Sequence, residues 1–193
     1  MKPLAISVLT ICGIEELPAQ EAREVTHVLS LLDPDWPEID AFQRYGSHHR
    51  TTLHFHDIIE PAPGRIAPTP DDMAAILGFG ADLQAARPDR AEGHLLVHCH
   101  MGVSRSTAAM LSLLAQTHAD EDEERLFARL SEIRPQAWPN SLMVGFADAQ
   151  LGRAGRLTAA LRRHYGRRLR QEPEVGEWMT RLGRAREVAM ATG

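Results

Sequence analysis

Residues 95–114, LLVHCHMGVSRSTAAMLSLL, restrict the possible folds more than any other stretch of this chain. A short apolar run ends at His98-Cys99, a polar turn containing Gly102 follows, and Ser106 to His118 read as a helix apolar over most of its surface. A strand and a helix that are both buried, joined by one tight turn, predict helices layered on a parallel sheet.

The remaining sequence repeats that alternation. LAISVLTIC (4–12) and THVLSLLDP (26–34) read as buried strands, and GIEELPAQEA between them as a turn entering a short helix. RTTLHFHDI alternates at Leu53 and Phe55 and predicts a third strand ending near His56 or Asp57. After the proline-rich PAPGRIAPTP, Thr69 to Asp72 mark the start of a helix carrying Met73, Ile76, Leu77 and Phe79. HLLV is the fourth strand. Asp120 is the expected cap of a helix with an acidic first turn and Leu126, Leu130 and Ile133 facing the core. PNSLMVGFADAQL predicts another capped helix, and two more are expected in the tail. The fold class is therefore α/β, a central mostly parallel sheet flanked by helices, with any ligand site at the carboxyl ends of the strands.

At 193 residues the chain suits one domain with a sizeable core. Its two cysteines, Cys12 and Cys99, stand in unlike contexts without zinc-type spacing, which argues for free thiols and a reducing, cytoplasmic setting. Met1 to Cys12 has the basic start and apolar run of a leader, but Glu15, Glu16 and the lack of a small-x-small site favour a first strand. No apolar run reaches the length of about 20 residues that a membrane span needs. Residues 1–150 hold 11 Lys and Arg against 22 Asp and Glu, whereas residues 151–193 hold 10 Arg against 4 Glu. RRHYGRRLR is thus either a contact surface for an anionic partner or the wet face of a docked helix. Leu157, Leu161, Tyr165 and Leu169 recur at helical spacing and favour the second, so nucleic acid is not an expected partner.

The chemistry centres on Cys99. A strand-turn-helix of this kind gathers the backbone N–H groups of His100, Met101, Gly102, Val103 and Ser104 with a helix N-terminus into one anion-binding concavity. The same field favours the thiolate of Cys99, the nucleophilic form. Arg105 can grip two oxygens of a phosphoryl group with its planar fork, a geometry lysine lacks. Gly102 supplies the backbone angle or close approach that the turn requires. Ser106 can donate a hydrogen bond to the sulfur as it leaves. Phosphate, sulfate and vanadate are the expected occupants of such a loop, and no cofactor is called for.

HCHMGVSRS matches the His-Cys-x5-Arg-Ser/Thr signature of the cysteine-based protein tyrosine phosphatases, and the mid-chain cysteine resembles the dual-specificity branch. VTHVLSLLDP, LHFHDI and RPQAWPN resemble further family segments, so the likeness spans roughly residues 4 to 151, most similar to a compact bacterial member. It implies a catalytic domain over residues 1–151, with 152–193 a basic helical extension packed on it. It also implies a phosphomonoester hydrolase, a protein-tyrosine or dual-specificity phosphatase working through a cysteinyl-phosphate, with His98 orienting the loop and His100 at the pocket rim.

Such a reaction needs a general acid. DWPEID resembles the Trp-Pro-Asp loop of receptor-type phosphatases and offers Glu38, but family chain order points to Asp57 in LHFHDI, ahead of Asp71 and Asp72. The 42 residues from Asp57 to Cys99 exceed the family's usual gap, through EPAPGRIAPTP. Asn140 has two readings, a brace for the loop and a helix cap. His54, His56, His98 and His100 follow strand alternation and loop neighbourhood, not a metal pattern. HMGVSR lacks the lysines of phosphoinositide-directed relatives and the Gly-x-Gly-Arg of inositol-phosphate ones, which favours phosphotyrosine protein over a small phosphomonoester. Two other readings compete: a catalytically weak phosphate-binding scaffold, and a thiol redox protein pairing Cys12 with Cys99.

Overall fold

A computed structural model of the protein describes residues 6–85 and 93–191. Four parallel strands, β1 (Ile6–Cys12), β2 (His27–Leu32), β3 (His49–His54) and β4 (Gly93–His98), lie in the order β1-β4-β2-β3. Leu4 and Ala5 of the expected first strand lie outside the described residues. β4 is central, so its apolar run is covered on both faces and flanked at both edges.

The strand period of two divides these residues between two layers. Leu29 and Leu31 of β2 and Leu95 and Val97 of β4 enter the larger core beneath the helices, while Val28, Leu32 and Leu96 pack on the other face. That second face is closed by two 3-10 segments, Ile14–Arg23 and Asp40–Arg44, through Leu17 and Phe42.

The helical layer comprises α1 (Pro70–Ala85), α2 (Arg105–Thr117), α3 (Glu123–Ile133), α4 (Ser141–Gln150), α5 (Arg156–Gln171), α6 (Glu174–Arg181) and α7 (Ala185–Met190). α2 is buried from Arg105 to Ala115 and packs against α1, α3 and α4. Three expectations need correction. The cap of α3 is Asp122, whose side chain accepts from the Arg125 amide, because the helix begins two residues later than Asp120 would place it. β3 pairs only as far as His54, where β2 also ends, and this leaves Asp57 in a loop. The tail holds three helices, since Gly183, at φ 79°, breaks α6 from α7.

The charge asymmetry is met within the fold. Arg153 and Arg156 pair with Glu123, and Arg163 and Arg167 with Glu124, so the acidic start of α3 faces the basic α5. Leu157, Leu161 and Tyr165 point into the core.

Candidate functional site

Three of the four strands, β2, β3 and β4, lead at their carboxyl ends into one cleft of about 390 Å3. Asp33 follows β2, Asp57 follows β3, and Cys99 follows β4; all three line it, with His100 to Arg105 apart from Gly102, and with Trp178, Leu182 and Arg184 of the tail.

The turn after Cys99 is held by its carbonyls. Ile14 N–H donates to His100 O at 2.9 Å. Arg134 donates to Met101 O at 3.2 Å and to Gly102 O at 2.9 Å, while its other N–H groups grip Glu16 at 2.7 and 2.8 Å. Val103 O accepts from Trp138 N–H at 2.9 Å and from Thr107 Oγ1 at 2.6 Å, and Ser104 O accepts from Ala108 N–H at 3.0 Å. With every carbonyl from 100 to 104 tied to the scaffold, the amides of Met101 to Ser104 have no acceptor among the described residues. An oxyanion in the loop would accept from several of them at once.

Gly102 is a steric necessity. It sits at φ 68°, and a Cβ there would lie 2.4 Å from the carbonyl carbon of Cys12. The loop therefore rests directly on the end of β1.

Cys99 is 2% exposed, and its Sγ lies 3.2 Å from Ser106 Oγ. Arg105 is equally buried, its NH1 donating to Asp33 Oδ1 at 2.8 Å and to Phe55 O at 2.6 Å. Its Nε, also buried, has no acceptor among the described residues. His98 is fully buried and bonds Ser30 of β2 at 2.7 Å; burial pushes it down to about 4, so it is neutral. His100 lines the cleft against the Trp36 ring, its centroid 3.9 Å away, and burial followed by the nearby Arg105 lowers its pKa.

Asp57 Oδ1 accepts from Ser104 Oγ at 2.9 Å, from Asn140 Nδ2 at 3.0 Å, and from Arg184. Burial pushes this carboxyl up, but Arg184, Arg105 and the hydrogen bonds from Asn140 and Ser104 together outweigh it and leave the group below the ordinary carboxylate range. Asn140 Oδ1 caps α4 by accepting from the amides of Leu142 and Met143, while its Nδ2 donates to Asp57 Oδ1 and Ile58 O and not to the loop after Cys99.

The other acid candidates stand elsewhere. Glu38 faces Arg50 at an exposed edge, and Asp72 accepts from Thr69 at the start of α1, beside Asp71. His54 reaches Asp33 O, and His56 accepts from the Ile66 amide. Cys12 is a buried free thiol that burial and Glu16 push up to about 12.

Two contributors went unread in the sequence. Asp33 is not among the sequence candidates, although its place at the carboxyl end of β2 is a usable signal. Arg184 carried no signal at all, being one arginine of ten in the tail.

No family model matches the chain. It is 41% identical over 153 residues to human Protein phosphatase Slingshot homolog 3, a stretch covering 79% of this chain but only 20% of that protein. The chain thus spans about a fifth of the length of this curated relative. Among solved structures, the PTP-2 phosphatase of Cydia pomonella superposes with a TM-score of 0.56 at 19% identity, covering 77% of this chain and 90% of the other. Human DUSP28 gives 0.53 at 18% identity, covering 78% and 98%. The chain has the fold of these dual-specificity phosphatases, and its HCHMGVSRS segment lies at the matching strand-turn-helix.

Proposed function

We propose that the protein is a phosphomonoester hydrolase acting on phosphotyrosine or a similar aryl phosphate through a cysteinyl-phosphate intermediate. One observation carries this reading: carbonyls turned into the scaffold and unpaired amides surround a buried cysteine, with Arg105 at the end of the same turn.

In this mechanism the loop amides and the free Nε edge of Arg105 hold the phosphoryl oxygens and stabilise the charge spread over them in the transition state. Cys99 Sγ, as thiolate, attacks phosphorus while the bond to the leaving phenolic oxygen breaks. Asp57 gives that oxygen a proton. The bound phosphoryl group brings negative charge beside Asp57, which raises its pKa in the complex and lets it carry the proton. Asp57, now a carboxylate, takes a proton from the attacking water, and Ser106 donates to the departing sulfur. Ile58, Met101, Trp178 and Leu182 give the cleft apolar walls suited to an aromatic ring.

The proposal takes residues 1–151 as the catalytic domain, 152–193 as an extension that adds a wall to the site, and the cytoplasm as the location, in keeping with two free thiols. Among the described residues no helix is long and apolar enough to cross a membrane.

Hydrolysis of p-nitrophenyl phosphate and a phosphotyrosine peptide tests the reading. Turnover by the wild type, blocked by vanadate and abolished in Cys99→Ser, is expected. Wild-type protein that binds vanadate yet does not turn over would replace the enzyme with a phosphate-binding scaffold.

A further inference from the structure

The tail enters the site at a single charged residue. Arg184 sits in the turn between α6 and α7, its side chain 4% exposed, and lines the cleft. One guanidinium nitrogen, NH2, donates to Asp57 Oδ1, to Asp57 O at 3.1 Å and to Ser104 Oγ at 2.9 Å. The other, NH1, donates to Glu187 Oε1 at 3.1 Å. Glu187 is fully buried and is itself fixed by Trp138 Nε1 at 2.8 Å and the Ser141 amide at 2.7 Å. Trp138 and Ser141 flank Asn140, the other residue gripping Asp57.

Asp57 is thus held through one oxygen by three donors from three separate segments, Ser104, Asn140 and Arg184. Its second oxygen, Oδ2, takes no hydrogen bond among the described residues. A planar fork clamped at its far side by a buried carboxylate makes a rigid support, and a lysine could not span both ends.

We propose that Arg184 is a positioning residue of the reaction, fixing Asp57 by Oδ1 so that Oδ2 is free to carry the proton to and from the reacting oxygens. The inference rests on the hydrolase reading above and assigns a task to the tail, which the signature loop does not include. Arg184 also sets when Asp57 ionises, because a cation beside a carboxyl favours its charged form. The other charged and titratable groups about Asp57 are Arg105 and His100 from the loop and Tyr165 from α5, with Arg65, Cys99 and Asp33 lining the same cleft and Glu187 behind Arg184. Of these, Arg184 alone both bonds the carboxylate and belongs to the tail.

The test compares kcat against pH for wild type, Arg184→Met, Arg184→Lys and Arg186→Gln on phenyl phosphate, whose leaving oxygen needs a proton, and on p-nitrophenyl phosphate, whose leaving oxygen needs it less. Removing Arg184 should lower kcat on phenyl phosphate about 10- to 100-fold, with a smaller loss on the nitro compound. It should also move the basic limb of the profile upward by about one unit or more, since Asp57 then keeps its proton to higher pH. Arg184→Lys should fall between the two, and it stands in if leaving Glu187 without its partner prevents Arg184→Met from folding. Arg186→Gln, which alters an exposed pair with Glu60, should match wild type.

If the variants fold and the wild type turns over with Cys99→Ser inactive, but the basic limb stays in place and both substrates lose equally, the positioning role is wrong while the hydrolase reading stands. Faster turnover at all pH values in Arg184→Met would likewise overturn it, revealing a restraint instead of a support. A wild type without hydrolysis would remove both.

Discussion

The two halves of the site are built differently. The nucleophile half is one continuous segment, Cys99 to Ser106, whose carbonyls from His100 to Ser104 are pinned by Ile14, Arg134, Trp138, Thr107 and Ala108. The acid half is an assembly of side chains from three distant places, Asp57 after β3, Asn140 before α4 and Arg184 between α6 and α7. Backbone cradles tolerate side-chain changes around them but not changes of φ or of space. An assembled carboxylate should instead lose function gradually, one donor at a time, and chiefly for substrates that need its proton.

The largest effect is expected from Arg105→Lys, which keeps the charge but loses the fork that spans Asp33, Phe55 O and the phosphoryl oxygens. A fall in kcat of about 10^2- to 10^3-fold, the same for good and poor leaving groups, is expected from steady-state kinetics. A loss confined to poor leaving groups would erase the distinction between the halves.

Gly102→Ala should come next. The added Cβ meets Cys12 backbone and the residue keeps a positive φ, so a loss of about 2 kcal/mol or more is expected in urea denaturation, together with weaker vanadate binding. Unchanged binding would mean that the loop is softer than its packing on β1 suggests.

Asn140→Ala sharpens the other side of the comparison. Losing the cap should cost about 1 kcal/mol of stability, and losing the brace should lower kcat several-fold on phenyl phosphate but less on p-nitrophenyl phosphate. Equal losses on both would make Asn140 a cap alone.

The smallest effect concerns the supports shared by the two halves. His98 lies beneath the loop on Ser30, and His164 Nε2 donates to Ala137 O just ahead of Asn140. Burial depresses both from 6.5 to about 4. The unfolded chain binds the extra protons, so their contribution is complete above pH 6.5 and is lost as pH falls toward 4. Urea midpoints should decline across that window, and His164→Gln should flatten the slope. A midpoint independent of pH there would contradict the neutral state of both rings.

What the sequence revealed follows the same division. The strand-turn-helix around Cys99 was readable because local periodicity, one glycine and one motif encode it within about 20 residues, and the other strands because each carries its own apolar or alternating run. Asp57 was reachable by family chain order, though not the reason for its charge state. Asp33 does not stand out in the sequence because nothing local distinguishes a strand-ending carboxylate from one aimed at an arginine. Arg184 lay 127 residues from its partner, in a stretch where arginines are common and four of the ten pair with glutamates on α3. Long-range side-chain pairing of this kind leaves no period and no motif.

The central claim is that Cys99 takes the phosphoryl group, and the most direct measurement is the mass of the Cys99 peptide after acid quench of protein turning over phenyl phosphate or p-nitrophenyl phosphate. Asp57→Asn should accumulate the adduct with the nitro compound, because its second step lacks a base to activate water. A phosphoryl adduct on Cys99, present in wild type, enriched in Asp57→Asn and absent from Cys99→Ser, is the result predicted. Sustained turnover with no adduct, or turnover surviving in Cys99→Ser, would contradict the account.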